Sequence, residues 1–353
     1  MESSSREMKS RIWVAAAVVL ATLLSSCSTV GPAMIRSGRP AYNDAILKTS
    51  DEQLLQNIVR LRFVDSLGFL TVSSITANVS LGGTAGVNVP FGGADSYAAN
   101  LVPFSATVTT EQNPTITYTP VPGGRMLRQL TDETPVDLVI QLMNATQNYK
   151  AVWQTLVRRI GDIRNPDFIE QPRTAVDPRF AQFVELADDL QQRGVLYWVR
   201  RPGVEGGAAM VLRGHARASS GEVMRILEYL GITNPVREGD AAIVPIQIST
   251  APPQQGVIPI ETRSLFSLMQ LAAASIDLPA EVAATARQYP ERGFAGRDVR
   301  ILSDASQPPQ ARVAVEHRGR WYYIDDTDQR SKAWFQLLQL LASSEVSDTP
   351  SAP

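Results

Sequence analysis

Cysteine is nearly absent from this chain: Cys27 is the only one in 353 residues. A single thiol excludes an internal disulfide and every cysteine-based metal cage. Histidine is scarce too, with His215 and His317 alone, so no HExxH pair or other paired-histidine spacing exists. Lysine is confined to Lys9, Lys48, Lys150 and Lys332, and the net charge is −2. That balance gives no electrostatic basis for binding nucleic acid. Neither G-x-x-x-x-G-K-[ST] nor G-x-G-x-x-G occurs, so no motif encodes a phosphate cradle. The arginine pairs Arg158-Arg159 and Arg200-Arg201 read as solvated faces rather than phosphate clamps. No apolar run reaches the roughly 20 residues that a spanning helix needs.

What the first segment does contain is ordered in three zones. Arg6, Lys9 and Arg11 are positive, Ile12 to Leu24 is apolar and uncharged, and Ser25 and Ser26 are small. Positive, apolar, small is the layout of a secretory signal peptide. Leu24-Ser25-Ser26-Cys27 resembles the lipobox of bacterial lipoproteins. The resemblance implies cleavage between Ser26 and Cys27, a diacylglycerol on the Cys27 thiol and an acylated new amine. Two or more chains anchor stably, because each buried CH₂ contributes about 0.8 kcal/mol. Ser28, rather than Asp, follows Cys27. By the same resemblance, that implies an outer-membrane destination with the body in the periplasm. Lipidation also removes Cys27 from any nucleophilic role.

The hydrophobic content is 44% and the charged content 19%, enough for most of the chain to fold. The expected fold class is α+β. Residues 1–26 read as the signal peptide and 27–40 as lipidated Cys and tether. Residues 41–170 form a first domain of helices and an antiparallel β meander. Residues 171–345 form a mixed α/β domain ending in a β-hairpin and helix, and 346–353 are a disordered tail. The boundary falls in the proline-rich "NPDFIEQPRTAVDP", near Glu170.

Within that frame, Ser50 with Gln53 has capping-box spacing ahead of Leu54, Ile58 and Leu61. Beyond Gly68 the period becomes two. Leu70 and Val72 alternate with polar residues. Ile75, Ala77, Val79 and Leu81 do so one position out of phase, which predicts a bulge near Ser73-Ser74. Phe104, Ala106 and Val108, then "TITYTP", continue the alternation, and the Gly-rich stretch between reads as a flexible hairpin or loop. A strand-then-helix pattern at Val211–Leu230 and again at Ile258–Ile276 reads either as a repeated β-α unit or as common architecture, the second being the simpler reading.

Candidate chemistry is thin. "GGTAG" has nucleophile-elbow spacing around Thr84, but sits in an alternating strand context instead of a strand-to-helix turn. Glu316-His317 lies beside a hairpin turn at Arg318-Gly319 and reads as exposed. Asp325, Asp326 and Asp328 are the densest acids and the one candidate metal group, but the Gly and Glu of a calcium loop are missing. The better account makes Asp326 the N-cap of the last helix, with Gln329 returning the bond. Trp321, Tyr322 and Tyr323, with Trp334 and Phe335, are expected to close a core.

Several stretches together, "YNDAILKTSDEQLLQNIVRLRF", "NPTITYTPVPGGRMLRQL", "TRSLFSLMQL" and "RGRWYYIDDTDQRSKAWFQLLQLL", resemble a group of lipoproteins from Gram-negative bacteria. The resemblance spans roughly Tyr42 to Leu341 and carries no catalytic motif. It implies a lipoprotein and adds no active site; the anchor, a well-formed core and the lack of a catalytic constellation lead to the expectation of a non-enzymatic, lipid-anchored envelope protein without a cofactor, acting as an interaction or scaffolding module toward an envelope protein partner. The alternating strands suggest another role, as an oligomerising or membrane-inserting β-arm of an envelope or secretion assembly. A cell-wall hydrolase using two carboxylates is the enzymatic alternative.

Overall fold

A computed structural model describes residues 40–76, 79–87, 104–112, 115–146, 148–170, 177–200, 208–214, 220–248 and 256–347. Cys27, the cleavage site, the tether, His215 and the terminal residues from 348 lie outside them. The described elements are, in chain order, α1 (40–62), β1 (Leu70–Thr76), β2 (Val79–Val87), β3 (Phe104–Gln112), β4 (Thr115–Pro120), α2 (Gly123–Thr131), α3 (Val136–Thr146), α4 (Tyr149–Leu156), β5 (Val157–Ile160), β6 (Ile163–Arg164), β7 (Phe168–Ile169), α5 (Pro178–Gln192), β8 (Leu196–Arg200), β9 (Ala208–Leu212), α6 (Ser220–Tyr229), β10 (Val236–Glu238), β11 (Ala241–Ile248), β12 (Ile258–Thr262), α7 (Leu265–Ala274), α8 (Ala280–Ala283), β13 (Glu291–Arg292), β14 (Leu302–Asp304), β15 (Ala311–His317), β16 (Arg320–Asp325) and α9 (Gln329–Ser347). This is an α+β fold.

The chain divides into two compact units. One is Gly68–Met126; the other joins the residues through Leu67 to those from Leu127 onward. The division expected near Glu170 is therefore corrected. Strand β5, ahead of that point, pairs antiparallel with β12, and β7 pairs with β13. Among the described prolines there, Pro166 lies between β6 and β7 and Pro178 opens α5, both within one unit.

That larger unit is built on a mixed sheet of order β6-β5-β12-β11-β9-β8, with β10 also on β11. The β11–β12 pair is parallel and the other pairs are antiparallel. Strands β9 and β12 thus run in opposite directions, so the two β-α segments do not repeat as a tandem parallel unit. Helix α4 stops at Leu156, and Val157–Ile160 extends as β5. Trp153 of α4 is buried, edge-on to Phe183 at 5.4 Å and tilted against Trp198 at 4.8 Å. Helix α5 starts at Pro178 behind its N-cap Asp177 and stops at Gly194, whose φ is 67°. Val195 N–H bonds Leu190 O and Gly194 N–H bonds Gln191 O, so the terminal carbonyls are satisfied.

The first helix packs with the last hairpin and helix. Asp51 of α1 is buried, pairs with Arg312 at 3.0 Å and accepts a bond from Gln339. Phe63 meets Tyr322 edge-on at 6.0 Å. Tyr322, Trp334 and Phe335 are buried, whereas Trp321 and Tyr323 are half-buried. Ser50 lies inside α1 rather than at its start. At the other end α9 continues through Ser347, past the point where a tail is expected.

Candidate interaction site: an amphipathic β-ribbon

Among the described residues of the smaller unit the strands are antiparallel as expected, but they do not pair in meander order. Strand β1 pairs with β4, and β2 with β3, both antiparallel. The register runs on unchanged: Thr76 is opposite Thr115, and three residues further along each strand Val79 is opposite Gln112. On the described residues the two pairs therefore share one register, β1 against β4 and β2 against β3. Phe69 O accepts from Val121 N–H at 3.2 Å and adds a rung at the base. The register shifts between Val72 and Ser74, where the change of phase in the sequence predicts a bulge. The two strands of Gly82–Gly86 and its partner place Thr84 opposite Thr107 inside a ladder, not at a strand-to-helix elbow.

Directly opposed residues of an antiparallel pair share a face. Taking every second rung gives two unlike rows. One pairs Leu70 with Pro120, Val72 with Tyr118, Ile75 with Ile116, Val79 with Gln112, Leu81 with Thr110, Gly83 with Val108, Ala85 with Ala106, and Val87 with Phe104, so it is mostly apolar with Gln112 and Thr110 as its polar positions. The other pairs Thr71 with Thr119, Ser74 with Thr117, Thr76 with Thr115, Ser80 with Glu111, Gly82 with Thr109, Thr84 with Thr107, and Gly86 with Ser105. The bulge keeps both rows intact across the change of phase. Among the described ribbon residues Glu111 alone is charged, in a chain that is 19% charged. At the base, where exposure is defined, Leu70 is 50%, Ile116 40% and Tyr118 55% exposed. An apolar row at that exposure is a contact surface rather than a core.

The charged clusters of the larger unit hold the fold. Arg263 is fully buried. Its Nε donates to Asp167 Oδ1 at 2.6 Å, and its other nitrogens donate to Thr155 O, Val157 O and Asn165 O. Arg158 reaches Asp167 Oδ2 at 2.9 Å and Ser267 Oγ at 2.7 Å, and Arg159 pairs with Glu261. The pair read as a solvated face is thus a corner brace around α4, β5 and β12. Tyr229 donates to Gln182 at 3.0 Å in a shallow concavity between α5 and α6, where Glu185 pairs with Lys150.

His317 is not the exposed turn residue expected. It is largely buried and stacks near Phe63 at 5.4 Å. Its Nδ1 accepts from Gln56 at 3.1 Å, and its Nε2–H donates to Asp65 Oδ2 at 3.0 Å. Both ring nitrogens are occupied by protein. Burial pushes its pKa below the ordinary 6.5, against the hydrogen bond and charge of Asp65. Arg318 bonds Asp65 Oδ1 at 2.8 Å and lies over the Phe63 ring. Arg318 and Gly319, with φ of 53° and 74°, make the two-residue turn.

The acidic group resolves into turns and a cap. Asp325 accepts from Thr327 N–H and Oγ1 at 2.8 and 2.6 Å. Asp328, not Asp326, caps α9 through Ser331 N–H at 3.1 Å, and also takes the Ser331 hydroxyl at 2.6 Å. Asp326 pairs with Lys332 at 2.7 Å. Among the described residues no group of three or more metal-ligating side chains converges, so these aspartates do not form the candidate metal site. Asp65, Gln56, Asp167 and Arg263 were not singled out by sequence. Apart from the Arg158–Asp167 pair, the partners named for them lie about a hundred or more residues away, and no local pattern marks them. Also among the described residues, no helix is long and apolar enough to cross a membrane. Searches against protein-family models, curated proteins and solved structures find no match.

Proposed function

We propose that this chain is a lipid-anchored envelope protein, held at the outer membrane through Cys27 with its body in the periplasm. Its role is interaction and assembly rather than catalysis. The observation that carries the assembly role is the ribbon: one shared register, one mostly apolar row and one Ser/Thr row. Isolated two-stranded ribbons are marginal in water, so such an element needs a surface to complete it. The lipobox-like Leu24-Ser25-Ser26-Cys27 supports the anchor. The charged groups of the larger unit support a scaffold, because Arg263, Asp167, His317 and Asp65 are engaged with one another or with neighbouring backbone. Palmitate labelling of the wild type and Cys27→Ala, followed by membrane fractionation, tests the reading. The wild type is expected to label and to follow the outer membrane, and the variant to lose both. Equal labelling of the two would overturn the anchor.

A further inference from the structure

We infer that the ribbon crosses a lipid bilayer as one hairpin of a β-barrel closed by several copies of this chain, with the Ser/Thr row lining its interior. The inference rests on the assembly role given to the ribbon above and names its partner. Strands β2 and β3 are each nine residues long, and a tilted membrane-spanning strand needs about 9–11. Alternation of apolar and uncharged polar positions is the pattern of a barrel with lipid outside and a polar interior. An amphipathic helix lying on a membrane would need a period near 3.6, which this segment lacks.

The edges point to copies of the chain as the occupant. Among the described residues β2 and β3 pair only with each other, leaving one edge of each. Proteins that must stay single protect such edges with lysines, inward charges or prolines. Neither β2 nor β3 contains a lysine, arginine or proline, and Glu111 is their only charge. Inside hydrocarbon every backbone N–H and C=O must be bonded, so a spanning ribbon has to close. Pairing β2 of one copy with β3 of the next keeps polar beside polar and apolar beside apolar around a ring. Known barrels start at about 8 strands, so closure takes at least about four copies. The interior would be lined by the polar-row positions Ser80, Thr84, Ser105, Thr107 and Thr109, with Glu111 as one acidic position per copy.

The test places single cysteines in the full-length chain in membranes of its own host. Leu81→Cys, Ala85→Cys and Val108→Cys probe the apolar row; Ser80→Cys, Thr84→Cys and Thr107→Cys probe the polar row. Each is treated with a charged, water-soluble maleimide, with denatured samples as the full-labelling reference. The polar row is expected to label at least several-fold more than the apolar row. Equal labelling of both rows, or labelling of neither, would overturn the proposal. So would a mild-detergent extract that sediments as a monomer. The parent chain, whose only thiol is Cys27, is a separate readout. If it labels, the anchor reading fails whatever the two rows do.

Discussion

Val64 holds a left-handed backbone at φ 61°, a conformation that costs a β-branched residue about 1–2 kcal/mol. It closes α1: Asp65 N–H bonds Arg60 O at 2.9 Å and Val64 N–H bonds Leu61 O at 3.3 Å. Its side chain is 74% exposed and contributes little packing in return. Val64→Gly is therefore expected to stabilise by about 1 kcal/mol, raising Tm by a few degrees in a thermal melt. An unchanged or lower Tm would show that the valine is held there by something more than the cap. Arg263 is the opposite case. Arg263→Met leaves Asp167 with only Arg158 and removes the guanidinium donor from Thr155 O and Asn165 O, Val157 O keeping its bond from Asn165 Nδ2, an expected loss of about 3–5 kcal/mol in urea unfolding. Neither residue is legible in the sequence. A left-handed valine and a buried arginine carry no local signature, since each is fixed by where the chain goes next.

Elements were readable where their signal is local. The bulge at Val72/Ser74 follows from a one-residue change of phase, and Gly194 stops α5 because glycine accepts positive φ without strain. Pairing was not readable. Alternation says that strands exist and which rows they carry; it does not say that β1 finds β4 in place of β2. The cap of α9 was missed by two residues because "DDTD" offers three aspartates and sequence alone does not choose among them. The choice can be tested: Asp328→Ala is expected to lose about 1 kcal/mol, and Asp326→Ala no more than about 0.5 kcal/mol, as an exposed pair with Lys332. Equal losses in urea would contradict the assignment.

The seam between α1 and the β15–β16 hairpin has its own dependence on pH. The folded protein holds His317 neutral, with a pKa below the ordinary 6.5. The unfolded chain therefore binds the proton first on acidification. The stability that His317 contributes is fully present above about pH 6.5 and declines as pH falls through the folded pKa. The urea midpoint is expected to drop more between pH 7.5 and pH 5 in the wild type than in His317→Gln. An identical drop in the two would remove His317 from the account of this seam.

At the scale of the whole molecule, the α+β class was legible from the mixture of periods, while the division of the chain was not. A proline-rich stretch near Glu170 looks like a linker in sequence, yet the sheet passes across it because β5 and β12 pair over a long separation. The actual boundaries are at Leu67/Gly68, where the alternating pattern begins, and at Met126/Leu127, inside α2 a few residues after that pattern ends at Pro120. A shift in period was thus the better guide than proline content. The smaller unit is also the one with almost no charge, and the larger one carries the buried ionic braces. The larger unit is braced from within, and the proposal is that the smaller one is completed by what it meets. The most direct measurement of that division is the native mass of the full-length protein, extracted from its own membranes in mild detergent. The account predicts assemblies of at least about four chains, each beginning at Cys27 and carrying lipid. Monomers with an unmodified Cys27 would contradict it.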